Sequence, residues 1–377
     1  MILKTDCKYF PGDRPCRFNK TEGVMCDDCT HYEVNSFSIL IIKLDAVGDV
    51  LRTTCILHGL KSQHPDSEIT WVTRQSAVPL FENNRLVDRV VAYESTEAIL
   101  YTAVQHYDLV INLDAARESA ALASRVESQQ KKGFGLDAKG HVHPFNNEAV
   151  EWLEMGAFDQ KKKANTRSYQ ELMLDICGLR HPVRDIVLVL SEDEKAFARS
   201  FEQRFSLSNG KLRLGINTGA SPRWQFKQWT EEGFAALLKL IVQKTDWSVL
   251  LYGGPHEVER NARLASIDRK RVIDTGTGNT LRQFFALVSL CDLFLTGDTM
   301  ALHVATALKK SVVAYFGPTS VNEIDSYGGQ VTKIHSDLDC LVCYKPRCDF
   351  NPNCMNSLST EGVFAALESA ARTLRRP

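Results

Sequence analysis

The chain has 377 residues and a formal net charge of −1, with 44% hydrophobic and 24% charged residues. That near-neutral balance argues against a chain built mainly to coat nucleic acid, and the length suits two ordinary domains. No apolar run reaches the roughly 18 residues needed to span a bilayer, and the first ten residues carry charges and a cysteine where a secretory signal would be apolar. The expected location is therefore cytoplasmic, with room for peripheral contact with an inner membrane.

Residues 1–35 are rich in cysteine and poor in aliphatic side chains. From residue 36 the pattern changes. Residues 38–44 (SILIIKL) predict a strand of buried type, 50–62 a helix, and 69–73 a second strand. An Asn83-Asn84 turn precedes a strand at 87–92, and 109–113 (LVINL) predicts a further buried strand. Strands alternating with helical patterns predict a parallel sheet with helices on both faces. A stretch holding Gly, Pro and charges, 178–185, predicts the link to a second such unit. There, strands are expected at 213–217, 248–252, 294–296 and 311–316. Helices are expected at 231–243, from about 257, at 282–289 and at 301–308. The plan is an α/β chain of four parts: a cysteine-rich segment (1–35), an N-terminal domain (36–184), a C-terminal domain (185–354) and a last helix (355–377) returning to the N-terminal domain.

Four loops at strand ends could carry chemistry, because ligands of open α/β sheets bind beyond the carboxyl ends of strands. In the first, Lys43 to Asp49 (KLDAVGD), Gly48 allows a tight turn, and Asp49 would face the crevice or cap the helix. The dinucleotide fingerprint G-x-G-x-x-G is missing here. The second, Asn217 to Trp224 followed by Lys227, joins a small-residue turn to cations and suits a phosphate. In the third, Gly253-Gly254-Pro255-His256-Glu257, a carboxylate could read ribose hydroxyls. The fourth runs from Thr296 to His303, where Thr299 could donate to a phosphate oxygen and His303 follows one turn on.

In order and spacing, these loops resemble glycosyltransferase family 9, the ADP-heptose:lipopolysaccharide heptosyltransferases. The first is similar to that family's K-x-x-x-x-G-D, the second to G-A-x-x-x-x-K-x-W, and the fourth to D-T/S-G-x-x-H-x-x-A-A-L, while Gly317-Pro318-Thr319 matches G-P-T. The resemblance spans about residues 36–367. It implies the GT-B fold, two facing Rossmann-like domains with an acceptor side and a sugar-nucleotide side, and an inverting transfer. It implies Asp49 as catalytic base. It implies donor binding by Lys43, Thr218, Lys227, Glu257, Thr280, Asp298, Thr299 and His303, with no catalytic metal. Met300 stands where the family has glycine, so the sugar could differ from heptose. The expected partners are a nucleotide-sugar donor, such as ADP-heptose, and a glycolipid or glycan acceptor. Lys131, Lys132, Lys161, Lys162, Lys163 and Arg167 are candidates to meet an anionic acceptor or membrane surface.

Cys7, Cys16, Cys26 and Cys29 form C-x8-C-x9-C-x2-C, a pattern suited to a structural zinc or iron site. Cys340, Cys343, Cys348 and Cys354 form a second possible cluster, C-x2-C-x4-C-x5-C. Cys55, Cys177 and Cys291 sit in apolar patterns and are expected in the core. Two other functions remain open at this stage: a different GT-B nucleotide-sugar enzyme such as an epimerase, and a non-enzymatic zinc-ribbon binding module.

Overall fold

The computed structural model describes residues 2–207 and 210–374, so Met1 and the last three residues of the expected terminal helix lie outside them. The first sheet contains β1 (Phe37–Ile42), β2 (Ser67–Thr73), β3 (Arg89–Ala92), β4 (Tyr107–Asn112), β5 (Ser128–Leu136) and β6 (Val142–Pro144). Its order is β3-β2-β1-β4-β5-β6, parallel except for the antiparallel β5–β6 pair. The second contains β7 (Arg213–Asn217), β8 (Ser248–Tyr252), β9 (Val272–Asp274), β10 (Leu293–Gly297), β11 (Ser311–Phe316) and β12 (Val331–His335). It repeats the same topology as β12-β11-β10-β7-β8-β9, all parallel.

The helices are α1 (Arg17–Glu22), α2 (Val47–Thr53), α3 (Leu57–Gln63), α4 (Thr96–Val104), α5 (Arg117–Arg125), α6 (Val150–Ala157), α7 (Asp159–Ala164) and α8 (Tyr169–Ile176), then α9 (Glu192–Arg204), α10 (Glu231–Lys244), α11 (Val258–Ala265), α12 (Leu281–Val288), α13 (Met300–Ala307) and α14 (Thr360–Leu374).

Central strands show why these runs are so apolar: with helices on both faces, neither side of the pleat meets water. Ile39 and Ile41 of β1 point into a core that continues across to the second domain, while Leu40 and Ile42 point into a core under the opposite face. All four are fully buried, each contributing about 1.5–3 kcal/mol. The shared core joins Ile39 and Leu57 to Phe285, Leu302 and Val304, so the two domains meet through packed side chains. Main-chain contacts add to this, including Tyr169 N–H donating to Glu323 O at 2.9 Å.

Three sequence expectations change. The helix over 50–62 is two helices joined by a 3-10 turn at Thr54–Ile56. The stretch 128–136 forms a long strand that its polar sequence did not announce. The last helix does not return to the N-terminal domain. Its stripe of Val363, Phe364, Leu367, Ala370 and Ala371 packs beneath the second sheet, against α10, β10, β11 and β12. That face of the sheet, with Leu293, Leu295 and Val313, has apolar side chains that α14 covers. Among the described residues, no helix is long and apolar enough to cross a membrane.

Candidate active site

A cleft of about 940 Å³ lies between the two sheets and is lined by loops from both. On the N-terminal side, β1 leads into α2, and Asp49 occupies the third position of that helix. Its side chain is 39% exposed and accepts from Arg52 one turn later, Nη2 to Oδ1, at 2.8 Å. The Arg52 guanidinium lies over the Tyr169 ring, 3.7 Å from its centre. Burial pushes the Asp49 carboxyl upward, but Arg52 first, then Lys43 and His303, outweigh it and hold the pKa below its ordinary value.

Gly48 sits where α2 meets α13. A Cβ there would fall 3.1 Å from Met300 Cα and 3.4 Å from His303 Cδ2. The glycine is therefore needed for close approach of the two domains rather than for the tight turn that the sequence suggested. Met300, standing where the resemblance expects glycine, forms the other side of this contact.

On the C-terminal side, the loop after β7 carries Lys227, whose ammonium meets the Asp298 carboxylate at 2.8 Å. Burial opposes the Asp298 charge, yet Lys227 and His303 hold its pKa well below the usual carboxylate range. Thr299 precedes α13 and makes no side-chain cap bond. Its hydroxyl instead accepts from Asn217 Nδ2 at 3.2 Å and lies 3.1 Å from Thr296 Oγ1. Met300 and Ala301, the first residues of α13, line the cleft, so this helix start can offer N–H groups to an anion. His303 is buried; desolvation, then Arg52, lower its pKa to about 4, so it is neutral at neutral pH. Glu257 is buried in the cleft wall and accepts from Gly254 N–H at 2.8 Å. A Cβ on Gly219 would fall 2.6 Å from the Glu257 carboxylate, which explains the glycine.

The structure thus brings Asp49, Lys227, Glu257, Asp298, Thr299 and His303 to one cleft. Three expected donor-binding residues are employed elsewhere. Lys43 is buried and ion-paired with Asp114, and its ammonium donates to Asp45 O at 3.0 Å. Burial would lower its pKa, but Asp114 raises it above the ordinary value, so it holds the loop as a permanent cation. Thr218 donates from its hydroxyl to Tyr252 O at 3.1 Å and to Asn261 Oδ1 at 2.6 Å, tying β7 to β8 and α11. Thr280 caps α12, accepting from Gln283 N–H, while its neighbours Asn279 and Leu281 reach the cleft.

Sequence reasoning missed Arg52, Glu323 and Tyr344. Arg52 had a signal, since a residue three positions beyond Asp49 shares its helix face. Tyr344 had none, because it reaches the cleft from the cysteine loop, where its hydroxyl donates to Glu323 Oε1 at 2.6 Å. A side cavity of about 440 Å³ shares Arg52, Glu323 and Tyr344 with the cleft and adds Trp152 and Lys162. The Lys162 ammonium stands 4.1 Å from the centre of the Tyr344 ring. Two other lysines proposed for an acceptor, Lys131 and Lys132, hold the fold. Lys131 donates to Ala123 O and Ser124 O at the end of α5, both at 2.9 Å, and Lys132 donates to Cys177 O at 2.6 Å. Lys161 pairs with Glu154, and Arg167 with Glu151 and Asp175.

The cysteines divide as expected between core and chain ends. Cys55, Cys177 and Cys291 are buried. Cys354 is buried too, lying against Gly317; burial, then Cys343, Cys348 and Cys340, push its thiol up to about 11. All the thiols are free, and among the described residues no three Cys, His, Asp or Glu side chains come close enough as they stand to hold a metal ion.

The family profile described as glycosyltransferase family 9 (heptosyltransferase) matches residues 103–353. Lipooligosaccharide heptosyltransferase 2 of Campylobacter jejuni is 30% identical over 181 residues, a match spanning 46% of this chain and about half (55%) of that protein. Lipopolysaccharide heptosyltransferase 1 of Escherichia coli is 24% identical over 347 residues, 88% of this chain and 99% of that protein. Among solved structures, a glycosyl transferase family 9 protein from Veillonella parvula aligns with TM-score 0.70 at 19% identity, covering 90% of this chain and 98% of that one. The E. coli heptosyltransferase WaaC, solved with ADP-2-deoxy-2-fluoro heptose, aligns with TM-score 0.58 at 21% identity, covering 88% and 99%. At those identities, the structural likeness speaks for the GT-B fold.

Proposed function

This chain belongs to glycosyltransferase family 9, and from that premise we propose that it transfers a sugar, heptose in the first instance, from a nucleotide sugar such as ADP-heptose to a lipopolysaccharide-core or related glycan acceptor, with inversion. The observation that carries the reading is the facing of Asp49, across one cleft, by the Lys227–Asp298 pair and the start of α13. In the proposed reaction, Asp49 accepts the proton of the acceptor hydroxyl, whose oxygen attacks the anomeric carbon. The bond from that carbon to the phosphate oxygen breaks, the nucleoside diphosphate leaves, and the proton passes from Asp49 to solvent. Lys227 and the N–H groups of α13 stabilise the charge gathering on the leaving diphosphate, a donor of this type being worth about 3 kcal/mol. Glu257, at the end of the loop after β8, is the proposed ribose contact. The side cavity beside Arg52 is the proposed acceptor entrance, where Arg52 and Lys162 offer cations and Trp152 an apolar wall. An epimerase would turn the donor over without an acceptor, so acceptor dependence separates the two readings.

The test is acceptor-dependent release of nucleoside diphosphate. Asp49→Asn should lower kcat by about 10²–10⁴ while leaving donor affinity within a few-fold. Release of equal rate without acceptor, or full activity of Asp49→Asn, would rule out this mechanism.

A further inference from the structure

We propose that Cys7, Cys16, Cys26 and Cys29 bind one thiophilic metal ion, zinc or iron, in a tetrahedral, purely structural site that holds residues 2–36 in shape. The four thiols line a single cavity of about 550 Å³ whose lining residues, all between 2 and 32, share none with the cleft. The topology that gathers them is specific. Main-chain bonds from Lys8 N–H to Glu33 O and from Asn35 N–H to Asp6 O, both 2.8 Å, fold the two ends of the segment together. They leave Cys7 bridged to Val34. Cys16 precedes α1, and its sulfur accepts from Asn19 N–H at 3.4 Å, a bond of the kind that orients a thiolate ligand. Cys26 opens a turn that ends at Cys29, the short C-x2-C spacing that lets two sulfurs face one ion.

The second observation is what this segment lacks. None of residues 2–36 is buried, and none belongs to a hydrophobic core. Its other ties are surface pairs, such as Tyr32 to Asp6 and Tyr9 to Glu33, and a part-exposed stack of Tyr9, Phe18 and His31 with Arg17, which together fall short of a core. A run of this length cannot offset its ordering entropy with such contacts, and small segments of this kind depend on metal or cross-links. His31 lines the same cavity, with its Nε2 2.7 Å from Glu22 and its ring stacked on Phe18; four thiolates complete a tetrahedral shell without it.

Binding requires the sulfurs to draw in to about 3.8 Å of one another, the spacing set by metal–sulfur bonds of about 2.3 Å. No three of them stand that close in the unliganded chain, so the proposal requires the short turns to close on the ion, and none of residues 2–36 is buried to resist it. Four thiols lose their protons to solvent as the ion binds. With all four positions filled by sulfur, none is open for chemistry.

The experiment uses the full chain purified under reducing conditions. Elemental analysis should find one equivalent of zinc or iron per chain that is absent from Cys26→Ser/Cys29→Ser and retained in Cys343→Ser. In case the double variant does not fold, a second measurement uses the unsubstituted protein. After chelation, added Co(II) should give the thiolate charge-transfer absorption of a tetrahedral site and protect Cys7, Cys16, Cys26 and Cys29 from alkylation, read by peptide mass. Protection confined to Cys340, Cys343, Cys348 and Cys354, equal metal in the folded double variant, or a metal-free protein whose four N-terminal cysteines are disulfide-bonded would each overturn the proposal.

Discussion

Replacing Arg52 by Gln removes the cation that most strongly lowers the pKa of the proposed base. The guanidinium stands 2.8 Å from the Asp49 carboxylate and is itself only 11% exposed. An opposite charge at such range shifts a carboxyl by about 1–3 units. Asp49 is 39% exposed, so water screens part of the interaction, and the pair contributes about 1 kcal/mol or less. Removing Arg52 raises the Asp49 pKa, so the protonated, inactive form persists to higher pH. The acid limb of the kcat/KM profile should therefore move to higher pH in Arg52→Gln, while Arg52→Lys restores most of the wild-type position. The assay is initial-rate release of nucleoside diphosphate between about pH 2.5 and 8 at fixed ionic strength, a range that extends below the ordinary carboxyl value. A limb that stays in place, with only the plateau lowered, would refute the electrostatic role and leave Arg52 as a contact for substrate alone.

His303 makes stability depend on pH. Its folded pKa, about 4, lies below the ordinary value of about 6.5, so the unfolded chain binds more protons between those limits. The stabilisation is complete above the unfolded value and is lost as pH falls toward the folded one. Between pH 7 and 4.5 the site should account for ~2–3 kcal/mol of lost unfolding free energy. Denaturant titrations of His303→Asn should show a correspondingly flatter dependence; an unchanged slope would contradict the assignment. Gly48→Ala should force the 3.1 Å contact with the Met300 backbone apart, at a cost of about 1–3 kcal/mol, and lower kcat/KM. Because the nearest atom is Met300 Cα, adding Met300→Ala should not restore activity; recovery would place the clash on the side chain.

Much of this architecture was visible in the sequence because buried parallel strands leave a strong mark. SILIIKL, LVINL and SVVAYF are apolar on both pleat faces, and each lies in the interior of its sheet. SQQKKGFGL is not, because β6 pairs only with Phe134–Leu136 and leaves the first half of β5 as an open edge, where Gln129 and Gln130 are exposed and two lysines reach back to cap helix ends. At the site, strand-end loops located Asp49, Lys227 and Asp298. Adjacency in a motif did not bring Lys43 and Thr218 to the cleft, because a loop needs side chains that hold it as well as side chains that face the ligand. Arg52 and Tyr344 come to the cleft through helix phase and tertiary packing, and Tyr344 lies within the second cysteine cluster, far along the chain from the four strand-end loops. The docking of α14 was hidden for a similar reason: an amphipathic stripe tells that a face is buried and says nothing of which sheet receives it.

The most direct measurement of the central claim is calorimetric titration with ADP-heptose, ADP-glucose, UDP-glucose and GDP-mannose, on the wild type and Lys227→Ala. The account predicts that one of these donors, ADP-heptose first, binds the wild type and binds Lys227→Ala at least tenfold more weakly, a difference of about 1.4 kcal/mol or more. Binding of no donor, with or without a glycan acceptor present, or equal binding to both proteins, would contradict it.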